Sequence, residues 1–148
     1  MQISGRIRKE GKHWLVELPI LDAMTQGRSR AEAVQMSKDL VETMADEEGF
    51  SVDVRLGPRG AVSIGASDVA ALLAMIFRRQ REKHGLSVAD VARRLGMRLR
   101  AGYARYDRGR TVPSVGRLFE ILAAAAPGEI FVVATLRRAK SHRASESR

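Results

Sequence analysis

The tightest constraint on this chain lies between Arg78 and Leu122, where two amphipathic segments flank a glycine-marked turn. Ser87 stands ahead of Val88, Val91, Ala92 and Leu95, which are apolar at helical spacing; the serine can cap that helix and Gly96 can end it. The second segment carries Tyr103 and Tyr106 toward one side, and Arg98, Arg100, Arg105, Arg108 and Arg110 stand between and around them. The pattern predicts a helix-turn-helix. Arginine is the residue type that both phosphates and guanine edges call for, so the predicted partner of the second helix is DNA.

The charge distribution agrees. The chain has 148 residues and a net charge of +9. Residues 1–66 hold 9 basic and 10 acidic side chains, for −1, whereas residues 67–148 hold 17 and 7, for +10. The excess therefore belongs to the half with the helix pair, which suggests nucleic acid; a generic solubilising surface is the competing explanation. With no cysteine, the chain has neither disulfides nor thiolate metal sites, and a reducing cytoplasm suits it. No apolar run approaches the roughly 18 residues of a membrane span, and the secretory-signal layout is missing from the start. The expectation is a cytoplasmic protein that does not engage membrane.

Along the chain, Gln2 to Lys9 and Lys12 to Leu18 read as a hairpin, with Trp14, Val16 and Leu18 on one face and Pro19 ending the second strand. A short third strand is expected at Ala23 to Gln26. From Ser29 the period becomes helical, with Ala33, Met36, Leu40, Val41 and Met44 forming the apolar stripe and Gly49 closing the segment. Phe50 to Leu56 alternates as a half-buried strand, and Gly57 to Gly60 turns the chain into Ala61 to Ile64. Residues 1–66 thus read as an α+β domain, a small sheet plus one helix. Ser67 and Asp68 cap a helix whose Val69, Leu72, Leu73, Ile76 and Phe77 share one face up to His84-Gly85, and this opens an all-α helix-turn-helix domain over residues 67–136. After the helix pair, Pro113-Ser114 introduces another helix with Val115, Leu118, Phe119 and Leu122 inward, ended by Pro127-Gly128. Ile130 to Leu136 reads as a C-terminal strand available for pairing between chains. Residues 137–148 read as a disordered basic tail.

With these motifs in order, the chain resembles the HicB antitoxins of bacterial toxin–antitoxin operons, in the subgroup with a C-terminal Xre-like helix-turn-helix. The resemblance rests on WLVELP (Trp14 to Pro19), LDAMTQGRSRAEAV (Leu21 to Val34), GLSVADVARRLG (Gly85 to Gly96) and YARYDRGRTVPS (Tyr103 to Ser114). It implies a degenerate RNase H-like N-terminal domain that binds and neutralises a HicA-like RNA-cleaving toxin, and a repressor that binds its own operator DNA. The chain departs from the family at Val88, where many relatives carry a polar residue, often Gln, and at Met97 to Gly102, where Ser-rich residues are common. Arginines at that helix start oppose the dipole by roughly 0.3–1 kcal/mol, and Gly102 costs about 1 kcal/mol relative to Ala. Phosphates brought to that end would offset the arginine term.

The candidate DNA contacts are Arg98 and Arg100 for bases, with Ala101 beside them, and Arg105, Arg108 and Arg110 for phosphates. Arg105 could pair with Asp107 instead. Tyr103 and Tyr106 are read as core in preference to base-stacking residues. Trp14 is the candidate toxin contact, weighed against a plain core position. No cofactor or metal site is expected: His13, His84 and His142 are scattered, and Glu17, Asp22, Asp39, Asp46 and Glu47-Glu48 do not form a nuclease pattern. Reading one DNA site ordinarily takes two copies, so a homodimer or higher oligomer is expected. The alternative is a stand-alone transcription regulator whose α+β domain senses an unrelated partner.

Overall fold

Alternation in the first eighteen residues produces the expected hairpin. In the computed structural model, which describes residues 1–135, β1 (Gln2–Glu10) pairs antiparallel with β2 (His13–Leu18), with Ile7 opposite Val16. A single helical turn at Pro19–Leu21 leads into β3 (Ala23–Gly27), and later β4 (Val52–Leu56) and β5 (Ala61–Ala66) complete a five-stranded antiparallel sheet in the order β3-β2-β1-β5-β4. Ile3 lies opposite Ile64. This register puts Ile3, Ile7, Val16, Leu18, Val62 and Ile64 on one buried face.

That face is covered by α1 (Arg30–Ala45), which begins where Ser29 accepts from the Glu32 amide. The helix is phased differently from its large apolar residues: Ala33, Ser37, Val41 and Ala45 are buried, whereas Met36 is exposed. Small residues win this face because the backbones meet closely there. A Cβ on Gly27 would collide with the main chain of Glu32 and Ala33. Ser37 tolerates burial because its hydroxyl donates to Val34 O at 2.7 Å. The helix also stops earlier than Gly49, at Asp46 in a left-handed conformation (φ +49°), so β4 starts at Val52 and Phe50 closes the intervening turn.

Four helices follow: α2 (Val69–Lys83), α3 (Val88–Arg94), α4 (Arg100–Asp107) and α5 (Val115–Ala125). Asp68, rather than Ser67, caps α2 by accepting from the Ala71 amide; Ser67 instead bridges to Ser51 beside β4. The single apolar face expected for α2 is too narrow a description. Every residue from Ala71 to Phe77 is buried, and so is Gln80, because α2 is wedged between the sheet-and-α1 unit on one side and α4 and α5 on the other. One continuous cluster of buried side chains runs from Ile3 and Val16 through Leu72 and Phe77 to Tyr103 and Ile121.

Residues 131–135 form no strand, which corrects the expectation for Ile130 to Leu136 as far as the described residues go. The segment lines a concavity with Gln2 and Ile3 of β1 and Leu118 and Leu122 of α5, and it pairs with neither edge strand, β3 or β4. Phe131 packs toward the core while Ile130, Val132 and Val133 are exposed. Leu136 and the expected tail 137–148 lie outside the described residues. Among those residues no helix is long and apolar enough to cross a membrane.

The close approach at Gly27 gives a test. Gly27→Ala is expected to lower stability by about 1–3 kcal/mol, as overpacking does. Gly65→Ala, whose Cβ would meet only the Gln2 side chain at 3.5 Å, should cost much less in the same thermal unfolding comparison.

Candidate nucleic-acid interface

The helix pair is built from its caps inward. Ser87 accepts from the Asp90 amide at 3.0 Å while Asp90 accepts from the Ser87 amide at 2.8 Å, a reciprocal box that starts α3. These bonds hold the Asp90 carboxyl below its ordinary pKa, the Ser87 backbone donor contributing most. At the other end Gly96 (φ +71°) lets the Met97 amide reach back to Ala92 O at 2.9 Å, and Gly85 and Gly109 close α2 and α4 in the same way.

The second helix, α4, starts without help. Leu99 occupies the cap position, makes no side-chain cap bond and is 73% exposed. Gly102, which looked like a pure cost in the sequence, has a packing reason: a Cβ there would come within 3.1 Å of Met97 Sδ, so the glycine leaves room for the methionine against the first turn. Tyr103 and Tyr106 are buried, as expected of core residues. The Tyr103 hydroxyl donates to Asp107 Oδ1 at 3.0 Å, and burial together with that carboxylate pushes its pKa well up.

Asp107 is the residue the sequence reading missed as an organiser. Its two carboxylate oxygens accept from Arg81 Nε and Nη2 at 3.1 and 3.3 Å, with only 13% and 9% of the two side chains exposed. Arg81 Nη1 donates further to Leu86 O, just ahead of α3, at 3.0 Å. The ion pair therefore joins α2, the entry to α3 and the end of α4. Its sequence signal was weak, because Asp107 sits among arginines that look like equal partners.

Arg105 does not take Asp107. Its guanidinium lies 4.9 Å from the Tyr106 ring centroid and donates to the Tyr106 hydroxyl at 3.1 Å. Arg105 then lines, with Arg100, Ala101, Ala104, Arg108 and Arg110, an open concavity of about 310 Å³. Arg98 stands apart from that lining, in the turn two residues before α4. A neighbouring concavity of about 370 Å³ shares Arg100, Ala104 and Arg108 and is walled by Ser87, Val88 and Ala89. Arg98, Arg100, Arg108 and Arg110 are exposed, and among the described residues none has an acidic partner within ion-pair distance. Positive charge gathered along α4 and its flanking turns without acidic partners can receive an anion at each arginine.

Elsewhere, Trp14 is half-buried under Arg30, whose guanidinium lies 5.8 Å from the ring centroid. Glu17 accepts from Arg8 at 2.8 Å, Asp22 sits in a left-handed turn, and Asp39 accepts from Gln35 at 2.8 Å. The described residues contain no group of three or more His, Asp or Glu placed to hold a metal ion. No protein-family model matches the chain, and no curated protein matches it.

The capping box yields a pH prediction. Asp90 is held below its ordinary value of 3.8, so its contribution to α3 is complete above that value and is lost as pH falls through the depressed one. Asp90→Ala should lower the unfolding midpoint at neutral pH, and the gap from the parent protein should close in strong acid.

Proposed function

We propose that this chain is a non-catalytic antitoxin of HicB type that also represses its own operon. The observation that carries the DNA half of this reading is the groove of Arg100, Arg105, Arg108 and Arg110 along the second helix of a helix-turn-helix pair and the turn that follows it. In that geometry the second helix enters the major groove. Arg98 and Arg100, at its leading end, meet base edges, with Ala101 alongside, and Arg105, Arg108 and Arg110 clamp phosphates. Phosphates at the uncapped start of α4 would satisfy its free amides and offset the dipole cost of Arg100.

The antitoxin half rests on the motif resemblance together with the order of parts, a sheet covered by one helix followed by four helices. In this reading the N-terminal unit is a degenerate RNase H-like domain. It inhibits a small HicA-like RNA-cleaving toxin by covering the toxin's RNA-binding surface, with Trp14 as a candidate contact, and it needs no metal or cofactor of its own.

Specific operator binding by one short helix calls for two copies, their recognition helices about 34 Å apart. The dimer contact is assigned to the C-terminal region, where Ile130, Val132 and Val133 are 89%, 79% and 81% exposed. Deleting the residues after Gly128 is expected to leave a folded monomer by scattering or sedimentation; an unchanged dimer mass refutes the assignment.

The deciding experiment is co-purification with the product of an adjacent small reading frame of HicA type, followed by RNA cleavage with and without this chain. A stable complex that silences the ribonuclease is expected. Absence of a complex, with sequence-specific DNA binding retained, transfers the chain to the stand-alone regulators. Arg100→Ala should weaken operator binding by about 1–3 kcal/mol and relax base preference while inhibition persists; equal loss on random DNA makes Arg100 a phosphate contact.

A further inference from the structure

Four consecutive residues of α2 grip the molecule in two directions. Toward the sheet, Arg79 donates from Nε to Leu21 O and from Nη2 to Asp22 O, both at 2.9 Å, and Gln80 Nε2 donates to Ile20 O at 2.8 Å. Three successive carbonyls of the β2–β3 connection are thus held from one helical turn. Toward the other side, Arg78 Nη1 donates to the Asp107 carbonyl at 2.9 Å, and Arg81 forms its buried pair with the Asp107 carboxylate. The same turn therefore grips the end of α4.

Two features show what this arrangement is suited to. The first is that α4 has eight residues and no side-chain N-cap, so it depends on tertiary contacts, and its C-terminal end is fastened to α2. The second is that Gln80, 2% exposed, directs its amide nitrogen to Ile20 O while its Oε1 meets no protein donor among the described residues. Gln80 thus spends a buried position on placing the β2–β3 connection.

We infer that Arg78 to Arg81 are positioning residues that link the β2–β3 connection to α4, so that DNA in the arginine groove tightens the Pro19–Asp22 turn. A ligand that orders α4 reduces the opening of whatever α4 holds in place, and α2 extends that ordering to Ile20, Leu21 and Asp22. Linkage is reciprocal: a protein partner seated on the β2–β3 connection changes DNA affinity by the factor with which DNA changes its own. This inference rests on the DNA reading of the groove.

The test is amide hydrogen exchange on the full chain, with and without a mixed-sequence DNA duplex at low ionic strength. The reporter is the Asp22 amide, which donates to Pro19 O at 3.0 Å in the turn itself. It should exchange about fivefold or more slowly with DNA bound. Arg79→Ala combined with Gln80→Leu, both outside the groove, should keep the slowing within α4 and lose it at Asp22. Arg79→Lys, which preserves charge but not the two-pronged grip, keeps the test usable if the double variant does not fold, and should lose most of the effect. If α4 amides do not slow, the DNA reading fails and takes the inference with it. If α4 slows and Asp22 does not, the link alone is overturned. If Asp22 slows equally in the variants, Arg79 and Gln80 do not carry it.

Discussion

The buried contact between Arg81 and Asp107 is the constraint on which the C-terminal architecture depends. Removing two charges from water is costly, and the cost is recovered only when the geometry is good and the remaining donors are satisfied. Here they are: Arg81 places its remaining donor group on Leu86 O, and Asp107 also accepts from Tyr103. The pair thus specifies where α4 sits relative to α2 and where α3 begins. Arg98, Arg100, Arg108 and Arg110 can then be left without acidic partners among the described residues, since none of them is needed to hold the helices together.

α2 has a second role that its sequence does not advertise. A helix apolar on one face can belong to one unit, but Ala71 to Phe77 are buried on all sides, and the turn that follows is bonded to both neighbours. The sheet with α1 and the helices α3 to α5 therefore share a core.

Much of this was legible from residue pattern. The hairpin, the strand at Ala23, the cap at Ser87, the helix starts at Ser29 and Pro113-Ser114 and the inward tyrosines all follow from local chemistry, and the structure places them as expected. What escaped depended on long-range packing. α1 turns its small residues inward because the Gly27 backbone approaches closely, and periodicity weighted by hydrophobic size points to Met36 instead. Asp107 could not be told from a surface partner of Arg105, because its true partner lies 26 positions earlier. Of the groove residues, Arg100, Ala101, Arg105, Arg108 and Arg110 were legible as one set, since an eight-residue helix and its turn keep them together; Arg98 falls outside because α4 starts at Arg100.

The groove side chains have a further property in common. Arg100, Ala101, Arg108 and Arg110 take no part in the Arg81–Asp107 contact, and Tyr103 and Tyr106 point the opposite way into the core. The scaffold contacts and the groove thus occupy different positions of α4 and the turn that follows it. Such a division leaves the outer face free to drift: substitutions there change the charge and shape of the groove without disturbing the contacts that fix the helices.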